Sequence, residues 1–264
     1  MRRRAVPGLA LAWLAMVLIG ALLAPSLAPE GPFQPVGSPL SPPGGPQLLG
    51  TDHLGRDLLA RMLFGGRLSL GASAAASLLT VLLGGALGLA SALLGGVFDA
   101  GFRWMANVLL AIPGLLLAML LVAGLGPGLP AVVLAVGIGG VPGYARLTRS
   151  YALQLLQDGY VGAARSLGAD GGWIALKHLL PNSLPQLIPL ATTHFAWALL
   201  GITTMTFVGM AGDPSIPEWG VLLNASRAHL LDAPWGALWP GLAISLTILS
   251  VHAWGHRLAD LRGR

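Results

Sequence analysis

Cysteine is absent from the 264 residues, which excludes disulfides, thiol catalysis and Cys-ligated metals and leaves the redox compartment open. Charge is scarce as well. Asp, Glu, Lys and Arg make up 9% of the chain, against about 25% in an ordinary soluble domain, so a water-soluble fold would lack the means to cover its surface. No G-x-x-x-x-G-K-[ST] string occurs, so the chain does not bind ATP in the P-loop manner. Neither H-E-x-x-H nor G-x-S-x-G occurs, which weakens an esterase-type or intramembrane enzyme reading.

What is present is apolar: 55% hydrophobic residues and a mean hydropathy of +0.74. These residues fall in runs that reach the roughly 20 positions a bilayer-crossing helix needs. A first span runs from Val6 to Ala28 behind Arg2, Arg3 and Arg4. A signal peptide cleaved after Ser26-Leu27-Ala28 competes with it, but the apolar core exceeds the usual length of about 7–15 residues. The charge-free run Leu68–Phe98 gives a second span. Trp104–Ala145 is also uncharged, and Gly124-Leu-Gly-Pro-Gly-Leu-Pro130 divides it into a third and a fourth. Pro181 to Gly212 supplies the fifth, with Pro181 suited to a helix start, and Trp235 to Trp254 the sixth.

The expected fold is therefore all-α: a polytopic membrane protein of six transmembrane helices. It divides into an N-terminal helix (1–28), an external Pro/Gly-rich segment with an interfacial helix (29–67), and a five-helix core (68–264). The stretch from Pro25 to Pro46 has the composition of an extended, weakly ordered segment. No internal repeat or second domain is evident.

Orientation follows from Lys and Arg. With the N-terminus inside, the inner regions hold Arg2, Arg3, Arg4, Arg103, Arg146, Arg149, Arg165, Lys177, Arg257, Arg262 and Arg264. The outer regions hold Arg56, Arg61, Arg67 and Arg227. Eleven against four is a positive-inside bias. The pI near 10.7 thus reflects topology-setting charges, and no nucleic-acid partner is expected.

One basic island separates two long apolar runs: Tyr144-Ala-Arg-Leu-Thr-Arg149, then Asp158 to Gly168, then His178-Leu-Leu-Pro-Asn182. From Asp158 to Leu167 the pattern fits a short amphipathic helix. Val161, Ala164 and Leu167 lie at near-helical spacing and Arg165 points to solvent. Gly168 then suits the left-handed conformation that ends a helix. Small Ala163 and Ala164 let such a helix sit deep in a groove on a partner; the plainer reading is an ordinary basic cytoplasmic loop. A second segment, Gly50-Thr-Asp-His-Leu-Gly-Arg-Asp-Leu-Leu-Ala-Arg61, combines turn glycines Gly50 and Gly55 with Asp52, Arg56, Asp57 and Arg61. Those four charges are placed to pair near the outer surface; the alternative is an interfacial helix with snorkelling arginines. A third segment runs from Gly209 to Gly220 through Pro217-Glu-Trp-Gly. Trp219, Trp235 and Trp239 suit an interfacial aromatic belt.

The Ala163-Ala164 pair, Gly168 and the closing Leu180-Pro181 resemble the "EAA" loop, by which membrane subunits of ABC importers engage their ATPases. The second and third segments resemble stretches of the peptide/nickel importer permeases, specifically the "C" subunits of dipeptide and oligopeptide systems. The likeness covers about Gly50 to Leu261. It implies the type I ABC importer permease fold and a non-catalytic subunit that moves di- or oligopeptides by alternating access. It also implies a coupling loop over about 158–182, carried by Gly162, Ala163, Ala164, Arg165, Gly168 and Pro181. The implied partners are a second homologous permease forming a heterodimer, two ABC ATPase subunits, an extracytoplasmic substrate-binding protein and the lipid of a bacterial inner membrane. Both termini would be cytoplasmic. No cofactor is expected on this chain, ATP and Mg belonging to the ATPases. Gly162 stands where the family usually has Glu. A nickel or metallophore importer shares these motifs, and an ATPase-independent transporter or membrane enzyme is the other class.

His194 and His252 fall within the fifth and sixth spans, where polar residues are functional candidates. Only His252 and His256 have i,i+4 spacing, and no metal site is expected. Interhelical hydrogen bonds and lining of a pathway are the roles assigned to His194 and His252.

Overall fold

Helices form where the apolar runs continue, and Gly, Pro or a capping side chain sets each end. A computed structural model of the chain describes residues 5–262; Arg2, Arg3, Arg4 and Arg264 lie outside it. In chain order come α1 (Ala5–Leu22), the single turn α2 (Ala24–Leu27) and, after a strap of turns, α3 (Leu58–Leu94). Then follow α4 (Gly96–Ala111), α5 (Gly114–Leu125), α6 (Leu129–Leu155), α7 (Gly159–Ser166) and α8 (Gly171–Ile174). A π-turn (Ala175–Leu179) leads into α9 (Leu180–Phe207), followed by α10 (Trp219–Ser226) and α11 (Trp235–Arg262). Among the described residues no strand forms, only isolated bridges.

The all-α membrane architecture is as expected; against the six spans expected, four helices, or five with one bent pair, qualify as spans among the described residues. Among the described residues four segments are long and apolar enough to cross a bilayer: Leu58–Leu94, Leu129–Leu155, Gly171–Phe207 and Trp235–Gly255. The anticipated third span is two helices, α4 and α5, bent by 95°. The break falls at Ile112-Pro113, because Pro113 has no N–H to continue the ladder and holds the residue before it extended (ψ 129° at Ile112). At 12 residues α5 covers about 18 Å, short of the roughly 30 Å hydrocarbon core. At the chain's start, the apolar helix described is Gly8–Leu22, which falls short of the run expected to Ala28.

Two further boundaries move. The helix carrying the second span starts at Leu58, well ahead of the charge-free run, so Arg61 and Arg67 ride on α3. Its N-cap is Asp57, whose carboxylate accepts the N–H groups of Leu59 and Ala60. Pro181 does sit in the first turn of α9, but α9 continues from the turns before it: Gly171–Phe207 is one segment, and the π-turn inside it is marked by Leu180 N–H donating to the Ala175 carbonyl. The strap before α3 is also better ordered than its composition suggests. Val36 N–H donates to Gly55 C=O (2.8 Å), Leu40 N–H to Asp52 C=O (3.0 Å), and the Thr51 hydroxyl to Ser38 C=O (2.7 Å).

Helix α3 is the centre of the packing, against α6 on one side and α9 on another. Its buried positions are almost all small, including Gly65, Ser69, Ala72, Ala76, Thr80, Gly84, Gly88 and Ser91. Small residues let backbones approach where lipid offers no hydrophobic drive between helices. A Cβ on Gly88 would stand 2.5 Å from the Ala145 carbonyl oxygen, so α3 and α6 touch backbone to backbone. Around them Val122, Val132, Ala135, Ile202 and Met205 form the main apolar core.

Candidate functional site

Three constellations stand out, at the two ends of α3 and along α9. At the C-terminal end of α3, the short helix α7 is pinned inward by Val161 and Ala164. Both are buried, and Val161 packs with Ala92 of α3, Ala152 of α6, and Ile174 and Leu179 of the following segment. The helix ends in a full Schellman arrangement: Gly168 (φ 90°) donates to Arg165 C=O, and Ala169 N–H to Ala164 C=O, both at 3.0 Å. Asp170 then caps α8 by accepting Trp173 N–H at 2.7 Å. Gly162, Ala163, Arg165, Ser166 and Leu167 are left exposed, Leu167 at 89%. Two details differ from the sequence reading. Ala164 faces the bundle, so only Ala163 of the small pair lies on the outer side. Leu167 faces out because the helix stops before it and the chain turns at Gly168.

Behind α7, the His178 ring meets Tyr160 at 5.3 Å and Trp173 at 4.9 Å between centroids. Asn182 Nδ2 donates to His178 C=O at 2.7 Å and to the Tyr160 hydroxyl at 3.4 Å. Partial burial and the nearby Asp158 raise the Tyr160 phenol above its usual pKa. Alongside, Asp99 of α4 binds Arg149 of α6 through both carboxylate oxygens, accepts the Ser91 hydroxyl at 2.6 Å and pairs with Arg103 at 3.2 Å. Arg146 donates to Asn107 at 2.6 Å. Arg146 and Arg149, read from sequence as topology signals, also tie α4 to α6.

At the opposite end, Asp52 is the hub. It accepts the Leu54 and Arg56 N–H groups, pairs with Arg56 Nε at 2.7 Å, and lies 3.4 Å from Arg61 Nε. Arg61 is fully buried and donates to the carbonyls of Pro32 and Ser215, both at 3.2 Å. Gly55 (φ 74°) makes the turn, since a Cβ there would strike the Gly37 carbonyl oxygen at 2.3 Å. Asp52, Arg56 and Arg61 thus come together as expected, while Asp57 caps α3 instead of pairing.

Sequence reasoning missed Glu218. Its carboxylate, fully buried, accepts the Ser69 hydroxyl (2.7 Å), the Thr206 hydroxyl (2.6 Å) and the N–H groups of Gly220 (2.7 Å) and Val221 (3.1 Å). Trp219 is not an interfacial anchor: 2% exposed, it donates through Nε1 to Met62 C=O at 3.0 Å. Trp235 donates to Thr51 C=O at 3.3 Å. The only local signal was an acid standing just before a short apolar run, the place of an N-cap.

Along α9, His194 meets Tyr144 edge-on at 5.2 Å and lines a cavity of about 440 Å³ with Thr80, Gly140, Trp197 and Thr204. The Tyr144 hydroxyl donates to Leu187 C=O at 3.2 Å. Among the described residues neither His194 nor His252 makes the interhelical hydrogen bond expected of it. His256 has its side chain outside the described residues. No cluster of three metal-ligating side chains is found among those described.

Comparison with known proteins fits this arrangement. Residues 81–262 match the family described as binding-protein-dependent transport system inner membrane component. A glutathione transport system permease protein of Pectobacterium atrosepticum is 37% identical over 218 residues, covering 83% of this chain and 72% of its own. A Brucella suis protein named as a peptide transport system permease is 36% identical over 262 residues, covering 99% of this chain and 88% of its own. Among solved structures, an inward-facing methionine ABC transporter superimposes with a TM-score of 0.63 at 18% identity, over 77% of this chain and 97% of that one.

Proposed function

The chain belongs to the binding-protein-dependent transport system inner membrane components, and we propose that it is the permease subunit of a peptide-type ABC importer, with α7 as the helix its ATPase grips. The carrying observation is the two-sidedness of α7. On its inner face Val161 packs against α3, α6 and the π-turn and Ala164 is buried, while Ala163, Arg165 and the nearly bare Leu167 face outward. That outer face, with small Ala163 beside cationic Arg165 and apolar Leu167, is the one open to a protein partner. A push on α7 would pass directly into three membrane helices. Supporting the peptide reading, relatives in Pectobacterium and Brucella carry glutathione and peptide transport names.

In this reading α1 and the bent α4–α5 pair complete a six-span topology with both termini cytoplasmic. A second homologous permease, two ATPases and an extracytoplasmic binding protein complete the importer. ATP and Mg would be held by the ATPases, and the chain would alternate access without catalysing a reaction. Gly162 has open space around its missing Cβ, so the Glu usual in the family would fit there without repacking. The test is uptake of labelled dipeptide and of labelled nickel in cells with and without the gene. Loss of dipeptide uptake alone supports the proposal; loss of nickel uptake alone moves the cargo to a metal or its chelate, and no loss of either refutes it.

A further inference from the structure

One face of α9 carries polar side chains outward through the full depth of a bilayer. Asn182, Gln186, Thr193, Trp197 and Thr204 follow one another at intervals of three to four, or a multiple, and so stack on one side of the helix. From Asn182 to Thr204 the rise is about 33 Å, close to the roughly 30 Å hydrocarbon core. Asn182, Gln186 and Trp197 are exposed, and Thr193 and Thr204 half-buried. The opposite side of the same helix holds Leu199, Ile202 and Met205, buried in the bundle. Lipid tails offer no partner to side-chain amides, so such a face is stable only against water or protein.

The chemistry of the face is one-sided. Asn182 Nδ2 is spent on His178 C=O (2.7 Å), and Gln186, in the amide orientation that satisfies its neighbours, donates to the carbonyls of Ser183 (3.2 Å) and Asn182 (3.0 Å). The hydroxyls of Thr193 and Thr204 donate to the carbonyls of Pro189 and Leu200. Apart from the Trp197 indole N–H, the donors of the stripe are bonded back onto the helix, so acceptor oxygens are most of what remains to meet anything outside. No Asp, Glu, Lys or Arg occurs between Asn182 and Thr204. Beside the stripe opens the 440 Å³ cavity, walled by Trp197 and Thr204 together with Thr80 and His194. Its size falls in the range of about 300–1,000 Å³ typical of small-molecule sites.

We infer that this face of α9 and the adjoining cavity line the translocation conduit, and that its row of acceptors receives the N–H groups and terminal ammonium of a short peptide. The stripe holds no carboxylate or imidazole of the kind a bare divalent transition metal needs; His194 stands alone on the cavity wall. This inference rests on the importer reading above.

The absence of cysteine makes the test direct. Single cysteines are placed at Asn182, Gln186, Thr193 and Thr204, with Leu249 and Leu82 as exposed apolar controls, in the assembled transporter in native membranes. A membrane-impermeant, water-requiring thiol reagent is applied with and without saturating dipeptide. The expected result is labelling at the stripe, slowed at least several-fold by dipeptide, and none at the controls. An unlabelled stripe, or a stripe labelled at a rate dipeptide does not alter, overturns the inference. Gene-dependent dipeptide uptake, measured in parallel, separates that outcome from failure of the importer reading itself. As a second readout, Gln186→Leu is expected to raise the KM for dipeptide with membrane insertion unchanged, whereas Leu249→Ala leaves KM as it was; an unchanged KM in the Gln186 variant counts against the inference.

Discussion

The hydroxyl of Ser69 donates to the carboxylate of Glu218 at 2.7 Å, joining residues 149 positions apart. The same carboxylate holds Thr206 and the first N–H groups of α10, so one side chain fastens α3, α9 and α10 together. Glu218→Ala leaves these donors buried without an acceptor and is expected to cost about 2–4 kcal/mol. Glu218→Gln keeps one acceptor and should cost less. Thermal unfolding in mild detergent reads the difference; equal midpoints for wild type and the Ala variant would remove the lock.

Close approach gives a second expectation. A Cβ on Gly65 would lie 2.1 Å from the Pro217 carbonyl oxygen, whereas Gly71 on the same helix has open space. Gly65→Ala should destabilise by about 1–3 kcal/mol through forced backbone shifts. Gly71→Ala should be neutral or stabilise by up to about 1 kcal/mol. The pair of unfolding midpoints checks both.

At the end of α7, Gly168 sits at φ 90°, a conformation costing other residues roughly 1–2 kcal/mol. Gly168→Asp should unwind the Schellman turn and abolish uptake, while the protein still reaches the membrane in normal amount. Dipeptide uptake and membrane-fraction immunoblots decide it; normal uptake would end the role given to this turn. Gly162→Glu, set in open space, should leave insertion and uptake intact.

The last expectation concerns pH. His53 and His229 stack at 5.8 Å beside Asp52, Arg56 and Arg61. Burial, followed in smaller part by Arg56, His229 and Arg61, lowers the His53 pKa below 6.5, outweighing Asp52. The folded state therefore favours neutral His53. The stability this contributes is present above pH 6.5 and lost as pH falls from there through the lowered value. Wild type should lose thermal stability more steeply than His53→Gln between neutral and mildly acidic pH, and parallel curves would argue against the lowered pKa of His53.

Local patterns and long-range partners differed in how far the sequence revealed them. The turn at Gly126-Pro127-Gly128 and the helix 159–166 were legible because Gly, Pro and the spacing of Val161 to Ala164 act within a few residues. The bend at Pro113 was equally local yet was overlooked within an uncharged run, since hydropathy does not register direction. Trp219 read as a surface anchor because its acceptor, Met62 C=O, comes from a helix 157 positions away. Likewise the π-turn is a shift of hydrogen-bond register by one residue, and no residue type announces it. The polar face of α9 was present in the sequence at helical spacing, but only the fold shows that it looks outward.

Helix α3 meets its neighbours through Gly65, Gly84 and Gly88, with added Cβ atoms falling 2.1, 3.0 and 2.5 Å from the facing atoms. Where a contact surface is already built from the smallest side chains, nearly every random change is an enlargement. This spine is thus vulnerable to crowding and hardly at all to hollowing. Because the facing atoms are largely backbone, trimming a side chain opposite should not repair damage to it; the helices would have to move apart.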